Sequence, residues 1–289
     1  MNIIYIFNGL GNQMSQYALF LAKNNQGKKS FCVFKNTAHN GIELGRLFGI
    51  NTNNTHFVFF FNLLYYICMT VYWYKLKHLV LSVLKYFYIT PFLEENKYYF
   101  HQNVLNDSAG LNLYIGGWHH HKYFSEIEDL IRKTYVFPNF RDRRNRKLRI
   151  QSQDQRAVAI HIRRGDYMDQ VNYEMYGKVC DAEYYIKAMT QVEEEILNPI
   201  YYIFSNDMEW SRGLMRGRKA IYVDWNKGNN SWADMALMSE FKNIIIANST
   251  FSWWAAYLGD TEKYVLCPSY FVYGDKSSDI FLPAWKRVS

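Results

Sequence analysis

RAVAIHIRRGDYMD, residues 156–169, is the stretch the rest of this chain serves. Its first part, AVAIHI at 157–162, is a short apolar run with β-branched residues, the composition of a buried strand. The run stops abruptly at Arg163, Arg164, Gly165 and Asp166. Arginine offers a planar fork of donors that fits phosphate oxygens in pairs, and a following glycine lets the backbone turn close to a bound group. The pattern points to an anionic ligand at a strand end. The competing reading is a structural ion pair in which Arg163 or Arg164 satisfies Asp166 beside the sheet.

Downstream the pattern is regular. Helices are predicted at 181–197, 209–215 and 250–258, with a further one opening at Ser231, where Asp234 three positions on completes a capping box. Strands are predicted at 200–204, 220–223, 243–247 and 264–267. Alternation at these lengths implies a parallel sheet covered by helices on both faces, and ligands of such sheets sit beyond the carboxyl ends of the strands. The polar residues fall there: His161, Arg163, Arg164 and Asp166, then Ser205, Asn206 and Asp207, then Asp224, and finally Asn248, Ser249, Thr250 and Ser252. The last group also opens a helix, so its amides and hydroxyls could complete an anion site; ordinary N-capping is the plainer alternative. Trp253 and Trp254 read as core residues of that helix.

Upstream, 2–7 reads as a strand covered on both faces, running into Asn8-Gly9-Leu10-Gly11-Asn12-Gln13 and a helix at 13–23. Strand, glycine turn and helix can face backbone amides toward an anion, although the motif alone equally fits a tight turn. The segment 57–93 is crowded with Phe, Tyr, Leu and Val, is interrupted by Asn62, and carries Lys75, Lys77, His78 and Lys85. It lacks a uniform aliphatic centre, so it reads as helices that pack on the domain or lie in a membrane interface rather than as a span. A strand at 113–117 precedes Trp118, His119, His120 and His121 and a helix at 123–133. Adjacent histidines on an extended segment point to opposite faces and do not readily share one metal, so they read as cleft or surface residues, with metal ligation as the lesser alternative.

The 289 residues, 49% hydrophobic, suffice for two α/β domains or one large one. A net charge of +7 suits an anionic small molecule or membrane surface, and the chain lacks the long Lys/Arg blocks of a nucleic-acid binder. RDRRNRKLR at 141–149 reads as a solvated linker just before the central strand, with a membrane or polyanion contact as the alternative. Cys32, Cys68, Cys180 and Cys267 are widely spaced without a C-x-x-C pair, indicating neither a zinc site nor a disulfide framework and fitting a reducing compartment. Met1 leads straight into NIIYIF with no secretory signal pattern.

IFNGLGNQMSQYA at 6–18, HIRRGD at 161–166, FSNDMEW at 204–210 and ANSTFSWW at 247–254, in this order and at these separations, resemble the bacterial alpha-1,2-fucosyltransferases of glycosyltransferase family 11. GGWHHHKYFSEIEDLIRKTYVF at 116–137 is similar to a family segment as well. The resemblance implies an α/β, GT-B-like pair of Rossmann-type domains facing a central cleft. Residues 1–150 would form the acceptor side, with an aromatic helical insertion at about 57–93, and 151–289 would bind GDP-fucose. It implies an inverting single displacement with GDP-fucose as donor and no metal cofactor; the sequence indeed holds no D-x-D motif.

Carried over, Arg163 becomes the leading diphosphate ligand, Arg164 and Asp166 its support, and His161 a contact near the nucleotide. Asp207 would address guanine, Ser249, Thr250 and Ser252 would meet phosphate, and Asn12 would approach the donor. Asp166, Asp169 and Glu174 are the conceivable bases for the acceptor hydroxyl. Three departures stand out: Asn8 where the family usually has glycine, Ser15 for a bulky apolar residue, and Asn243 where a histidine often follows lysine. Trp118 to His121 also differs from the usual sequence. The expected activity is fucosyl transfer to the 2-hydroxyl of a terminal galactose of a glycan acceptor, in surface polysaccharide or O-antigen synthesis. The acceptor would be lipid-linked, met at the inner face of the cytoplasmic membrane through peripheral contact. The alternatives are another donor or linkage on the same fold, or a non-catalytic nucleotide- or glycan-binding protein.

Overall fold

A strand that is apolar without alternation needs both of its faces covered, and the runs at Asn2–Ile6 and Ala157–Ile162 each sit inside a parallel sheet. The computed structural model describes residues 1–36, 40–53, 57–73, 77–94, 98–275 and 280–289. The chain divides into two compact units, Met1–Val136 and Phe137–Ser289.

In the first unit, β1 (Asn2–Ile6) is buried at every position. It pairs in parallel with β2 (Ser30–Phe34) on one side and, across from it, with a strand at Leu111–Ile115. Before that strand comes β3 (Ile89–Leu93), so Leu111–Ile115 is β4, and the order is β2-β1-β4-β3. The helices are α1 (Leu10–Asn25), α2 (Leu44–Phe48), α3 (Val58–Trp73), α4 (Lys77–Tyr86), α5 (Gln102–Leu105) and α6 (Glu128–Thr134). Segment 57–93 is therefore not purely helical, since its last residues form β3. Pro91, which has no N–H to give a ladder, is tolerated because β3 lies at the sheet edge. Lys75 lies outside the described residues, and among the described residues no helix is long and apolar enough to cross a membrane.

Asn8, which follows β1, sits at φ +67°, in the left-handed region where glycine is unstrained and asparagine is the best-tolerated substitute. The departure at this position thus keeps the backbone turn. The helix expected at 13–23 starts earlier, at Leu10, immediately beyond that turn.

In the second unit, α7 (Arg143–Gln151) precedes β5 (Ala157–Ile162), and after it come α8 (Gln170–Asn172), α9 (Ala182–Glu195), β6 (Ile200–Ser205), α10 (Met208–Leu214) and β7 (Ala220–Val223). The chain continues through α11 (Trp232–Ser239), β8 (Asn243–Ile245), α12 (Thr250–Leu258), β9 (Tyr264–Pro268) and β10 (Lys286–Val288). All six strands run parallel in the order β10-β9-β8-β5-β6-β7. One face of the sheet buries Val158, Ile160 and Ile162 against Tyr184, Tyr185 and Met189 of α9.

Two local expectations are corrected here. The basic stretch 141–149 is not a linker: Asp142 caps α7 by accepting from Arg144 N at 2.7 Å, and Leu148 and Asn145 are buried. Ser231 and Asp234 do not form a capping box. The Ser231 side chain makes no cap hydrogen bond, and Asp234 instead accepts from Asn226 Nδ2 at 2.7 Å. The four cysteines are all free and buried.

The strand order carries a functional consequence. From β5 the chain proceeds outward through β6 and β7, whereas β8, β9 and β10 build the other half on the opposite side of β5. The connections leaving β5 and β8 therefore part in opposite directions, opening a crevice at their carboxyl ends where open α/β sheets bind ligands.

Candidate functional site

The two arginines after β5 are held in different ways. The backbone N–H of Arg164 donates to Asn206 Oδ1 at 2.8 Å, joining the end of β5 to that of β6. Its Nε donates to Asp207 Oδ2 at 3.1 Å, and its guanidinium lies 4.3 Å from the centre of the Trp210 ring. Asp207 also caps α10, its Oδ1 accepting from Trp210 N at 3.1 Å. Gly165 is required by this arrangement, because a Cβ there would run into the Asn206 amide. Arg164 is thus fixed by a carboxylate, an aromatic face and its own backbone before any ligand is considered.

Arg163 faces the β8 side. It pairs with Asp166 at 2.7 Å through Nη2, and its guanidinium lies 5.4 Å from the Tyr167 ring centre. Its Nε is buried without a hydrogen-bond partner. The Tyr167 hydroxyl donates to Asn248 O at 3.0 Å, bringing the loop after β5 onto the residues that open α12. Asn248 is fully buried and donates through Nδ2 to Phe271 O and Tyr176 O, at 3.0 and 3.2 Å. A glycan on this asparagine has no room.

A second link crosses the same crevice. His161, the fifth residue of β5, places Nδ1 2.9 Å from Ser252 Oγ in the first turn of α12, with its ring against Phe251. Burial, with the charge of Arg163 adding to it, pushes His161 down to about 3, so the ring is neutral at ordinary pH. Tyr185 fixes the strand from behind by donating to His161 O at 3.0 Å.

These links sort the expected site residues. Arg163 and Arg164 are partly exposed, at 26% and 19% of their side chains, and Thr250 is half-buried at the start of α12. These three are the partly exposed members of the expected set. Ser252, expected at phosphate, is fully buried, and its hydroxyl also lies 3.3 Å from Ala247 O, so it acts behind the site. Ser249 is buried and accepts from Phe251 N at 3.3 Å, the plain capping role. His161 is likewise buried, one layer beneath the arginines. Of the carboxylates, Asp166 is held by Arg163, Glu174 by Lys178 at 2.6 Å, and Asp169 is exposed with its backbone carbonyl accepting from Asn172 and Tyr173.

The comparisons with known proteins bear on this geometry. The sequence model of glycosyl transferase family 11 matches residues 75–289. An alpha-1,2-colitosyltransferase of Escherichia coli is 30% identical over 257 residues, covering 86% of this chain and 84% of that protein. The chain belongs to glycosyl transferase family 11.

Further relatives of this family 11 glycosyltransferase align over about half of the chain. The Escherichia coli O-antigen biosynthesis glycosyltransferase WbnK is 35% identical over 45% of this chain and 43% of its own length. Galactoside alpha-(1,2)-fucosyltransferase 1 of Ateles belzebuth is 32% identical over 46% of this chain and 38% of its own. Among solved structures, NodZ alpha-1,6-fucosyltransferase soaked with GDP-fucose superposes with a TM-score of 0.51, at 12% identity, over 89% of this chain and 92% of that one. At that identity the likeness is one of fold, and it is the GT-B-type pairing of two parallel α/β sheets.

Asn12 lies in the other unit, half-buried on the first turn of α1. Gln13 and Gln16 of the same motif are structural. Gln13 Nε2 donates to Asn8 O and Gly41 O, at 2.7 and 2.8 Å, while its Oε1 accepts from Glu43 N at 2.9 Å. Gln16 ties Phe7 N to Gly116 O across the ends of β1 and β4, at 2.8 and 2.9 Å. His119 and His120 are buried rather than surface residues, and burial pushes His119 down to about 3. Among the described residues no three His, Cys, Asp or Glu side chains gather as a ligand set for a metal ion.

A carboxylate the motifs do not mark is Glu94, just beyond β3. Its Oε2 accepts from Gly117 N at 2.6 Å and Trp118 N at 2.9 Å, and burial, opposed by those amides, pushes it up to about 7. It braces the turn after β4, where Trp118 is held at φ +54°. Asn206 and Tyr167 were also passed over as specific ligands of the loop. Each sits inside or beside a quoted motif, but only the fold shows what it bonds to.

Proposed function

We propose that this enzyme transfers fucose from GDP-fucose to the 2-hydroxyl of a terminal galactose on a glycan acceptor, with inversion and without a metal ion. The observation that carries this reading is the tie between the loop bearing Arg163 and the start of α12, made by Tyr167 on Asn248 and by His161 on Ser252, with Arg164 held beside it at the β6 end. In the reaction the acceptor oxygen attacks the anomeric carbon as the bond to the β-phosphate oxygen breaks, and the electron pair leaves with GDP. Negative charge grows on the pyrophosphate, and in this reading the guanidinium forks of Arg163 and Arg164 and the amides opening α12 meet it. The hold of Asp166 on Arg163 is a weak one because Asp166 is 44% exposed, so the guanidinium can turn to a phosphate.

Asp207 keeps Arg164 oriented and presents its remaining edge to guanine, and Thr250 meets a phosphate oxygen. The acceptor proton passes to one of the exposed carboxylates Asp166, Asp169 and Glu174. The acceptor is a lipid-linked precursor of a surface polysaccharide, such as an O-antigen, met at the inner face of the cytoplasmic membrane; relatives named for O-antigen synthesis and galactoside fucosylation support this.

A second reading has a specific observation behind it: the relative covering most of this chain is named for colitosyl transfer. The test of both is an assay of the purified chain with GDP-fucose, the colitosyl donor and other sugar nucleotides against galactosyl disaccharides, with linkage read by NMR. The reading expects an α-1,2-fucosylated galactoside formed at a rate that a chelator leaves unchanged. Preference for the colitosyl donor establishes the second reading. GDP binding without turnover on any pair overturns the catalytic one, and loss of rate restored by Mg²⁺ overturns metal independence.

A further inference from the structure

Helix α3 is apolar on both sides, and only one side is accounted for by the fold. Phe61, Leu64 and Cys68, at helical spacing, are buried against Ile3, Tyr5 and Val33 of the first sheet. The opposite stripe, Phe59, Leu63 and Tyr66, has the same spacing and lies in solvent, with Phe59 82% exposed. At the end of α4 the chain adds Tyr86, Phe87 and Tyr88, all exposed, Tyr86 at 80%. A helix apolar all round is ordinarily buried, and an apolar surface of this kind marks an interaction site.

The charge around it selects the partner. From Leu44 through Leu93 the sequence contains no aspartate or glutamate, while it carries Arg46, Lys75, Lys77 and Lys85. Lys85 is exposed immediately before the aromatic triplet, and Lys35 lies over the rings of Tyr65 and Tyr66, at 4.2 and 4.6 Å. Rings flanked by lysines, without a carboxylate among them, match the boundary of a bilayer with anionic headgroups, where aromatic side chains lodge and each cation adds attraction. A second copy of the chain fits less well, because a two-fold contact would bring this patch onto itself with no acid to face its lysines. Spanning is ruled out by geometry: sixteen residues of helix reach about 24 Å, against about 30 Å of hydrocarbon, and the inner stripe is committed to the sheet.

We propose that the outer stripe of α3 and the aromatic end of α4 form a docking surface that lays the first unit on an anionic lipid bilayer. It depends on neither the donor sugar nor the catalytic residues. The test is co-sedimentation of the full chain with phosphatidylcholine vesicles, with and without roughly one third phosphatidylglycerol. Binding is expected on the anionic vesicles, weaker by about tenfold on phosphatidylcholine alone, and weaker by a similar factor for Phe59→Ser/Tyr66→Ser and for Lys85→Glu. Transfer to a water-soluble acceptor by those variants should match the parent, which shows that they fold and separates this proposal from the catalytic one. Equal binding by the variants, or no binding to either vesicle, overturns it. So does light scattering that shows a dimer dispersed by Phe59→Ser/Tyr66→Ser while vesicles are ignored, since the stripe then belongs to a second copy.

Discussion

His161 Nδ1 and Ser252 Oγ lie 2.9 Å apart, so the strand that delivers the two arginines and the helix that offers its first-turn amides are pinned to each other beneath the site. Both side chains are buried and the imidazole is neutral, which makes the contact an ordinary hydrogen bond whose loss strands a polar nitrogen in the core. Ser252→Ala should lower stability by about 1–3 kcal/mol and shift the thermal midpoint down by several degrees. GDP affinity should fall less than it does in an Arg163 variant. An unchanged midpoint with abolished GDP binding would put the hydroxyl on the phosphate instead.

Gly165→Ala should act through Asn206. The added Cβ displaces the amide that receives Arg164 N, so the arginine is misplaced while the sheet core is untouched. KM for GDP-fucose is expected to rise on the order of tenfold, about 1.4 kcal/mol, with little change in the melting curve. Steady-state kinetics beside circular dichroism checks this, and a near-parental KM contradicts it.

Arg164→Lys is not a conservative change here, because lysine can neither stack flat on Trp210 nor reach Asp207 with a directed fork. It should weaken GDP binding by at least about tenfold. Asp207→Asn keeps an oxygen to cap α10 but loses the charged partner, and its effect should overlap with that of Arg164→Lys in the double variant. Fully additive losses by calorimetry would show that Asp207 acts on the nucleotide independently of Arg164.

The sequence made the second sheet largely legible, because its strands are nearly continuous apolar runs and its polar clusters all fall at the strands' carboxyl ends. Arg163 and Arg164 stand at one of those ends. What remained hidden depended on partners distant in the chain. Ser252 reads as a helix-start hydroxyl until the ring of His161, ninety-one residues away, is seen against it. Asp234 has the spacing of a capping box, yet Asn226 draws its carboxylate elsewhere. Segment 141–149 looks solvated by composition because only Asn145 and Leu148 face inward. In 57–93 the Phe and Tyr content suits helix and strand alike, and so concealed the edge strand β3.

Asp234 also supplies a pH test. Burial raises its carboxyl to about 7 against the single amide of Asn226, so its folded pKa lies above its unfolded one. Its stabilising contribution is complete below the ordinary carboxylate range and is lost as pH rises through about 7. Asp234→Asn retains an acceptor for Asn226 and carries no charge, so its melting point relative to the parent should improve from pH 5.5 to pH 8, by the equivalent of a few kcal/mol at most. Glu94 is raised in the same direction and remains in both proteins, so it cancels in the difference. A constant or reversed difference would refute the buried-charge explanation.

The central claim is that Arg163 and its neighbours hold a pyrophosphate, and calorimetric titration of GDP and GMP into the parent protein and Arg163→Ala addresses it most directly. The parent should bind GDP at least about tenfold more tightly than GMP, and Arg163→Ala should lose most of that gap while keeping its affinity for GMP. Equal affinities for GDP and GMP in the parent, or an undiminished gap in Arg163→Ala, would contradict the account.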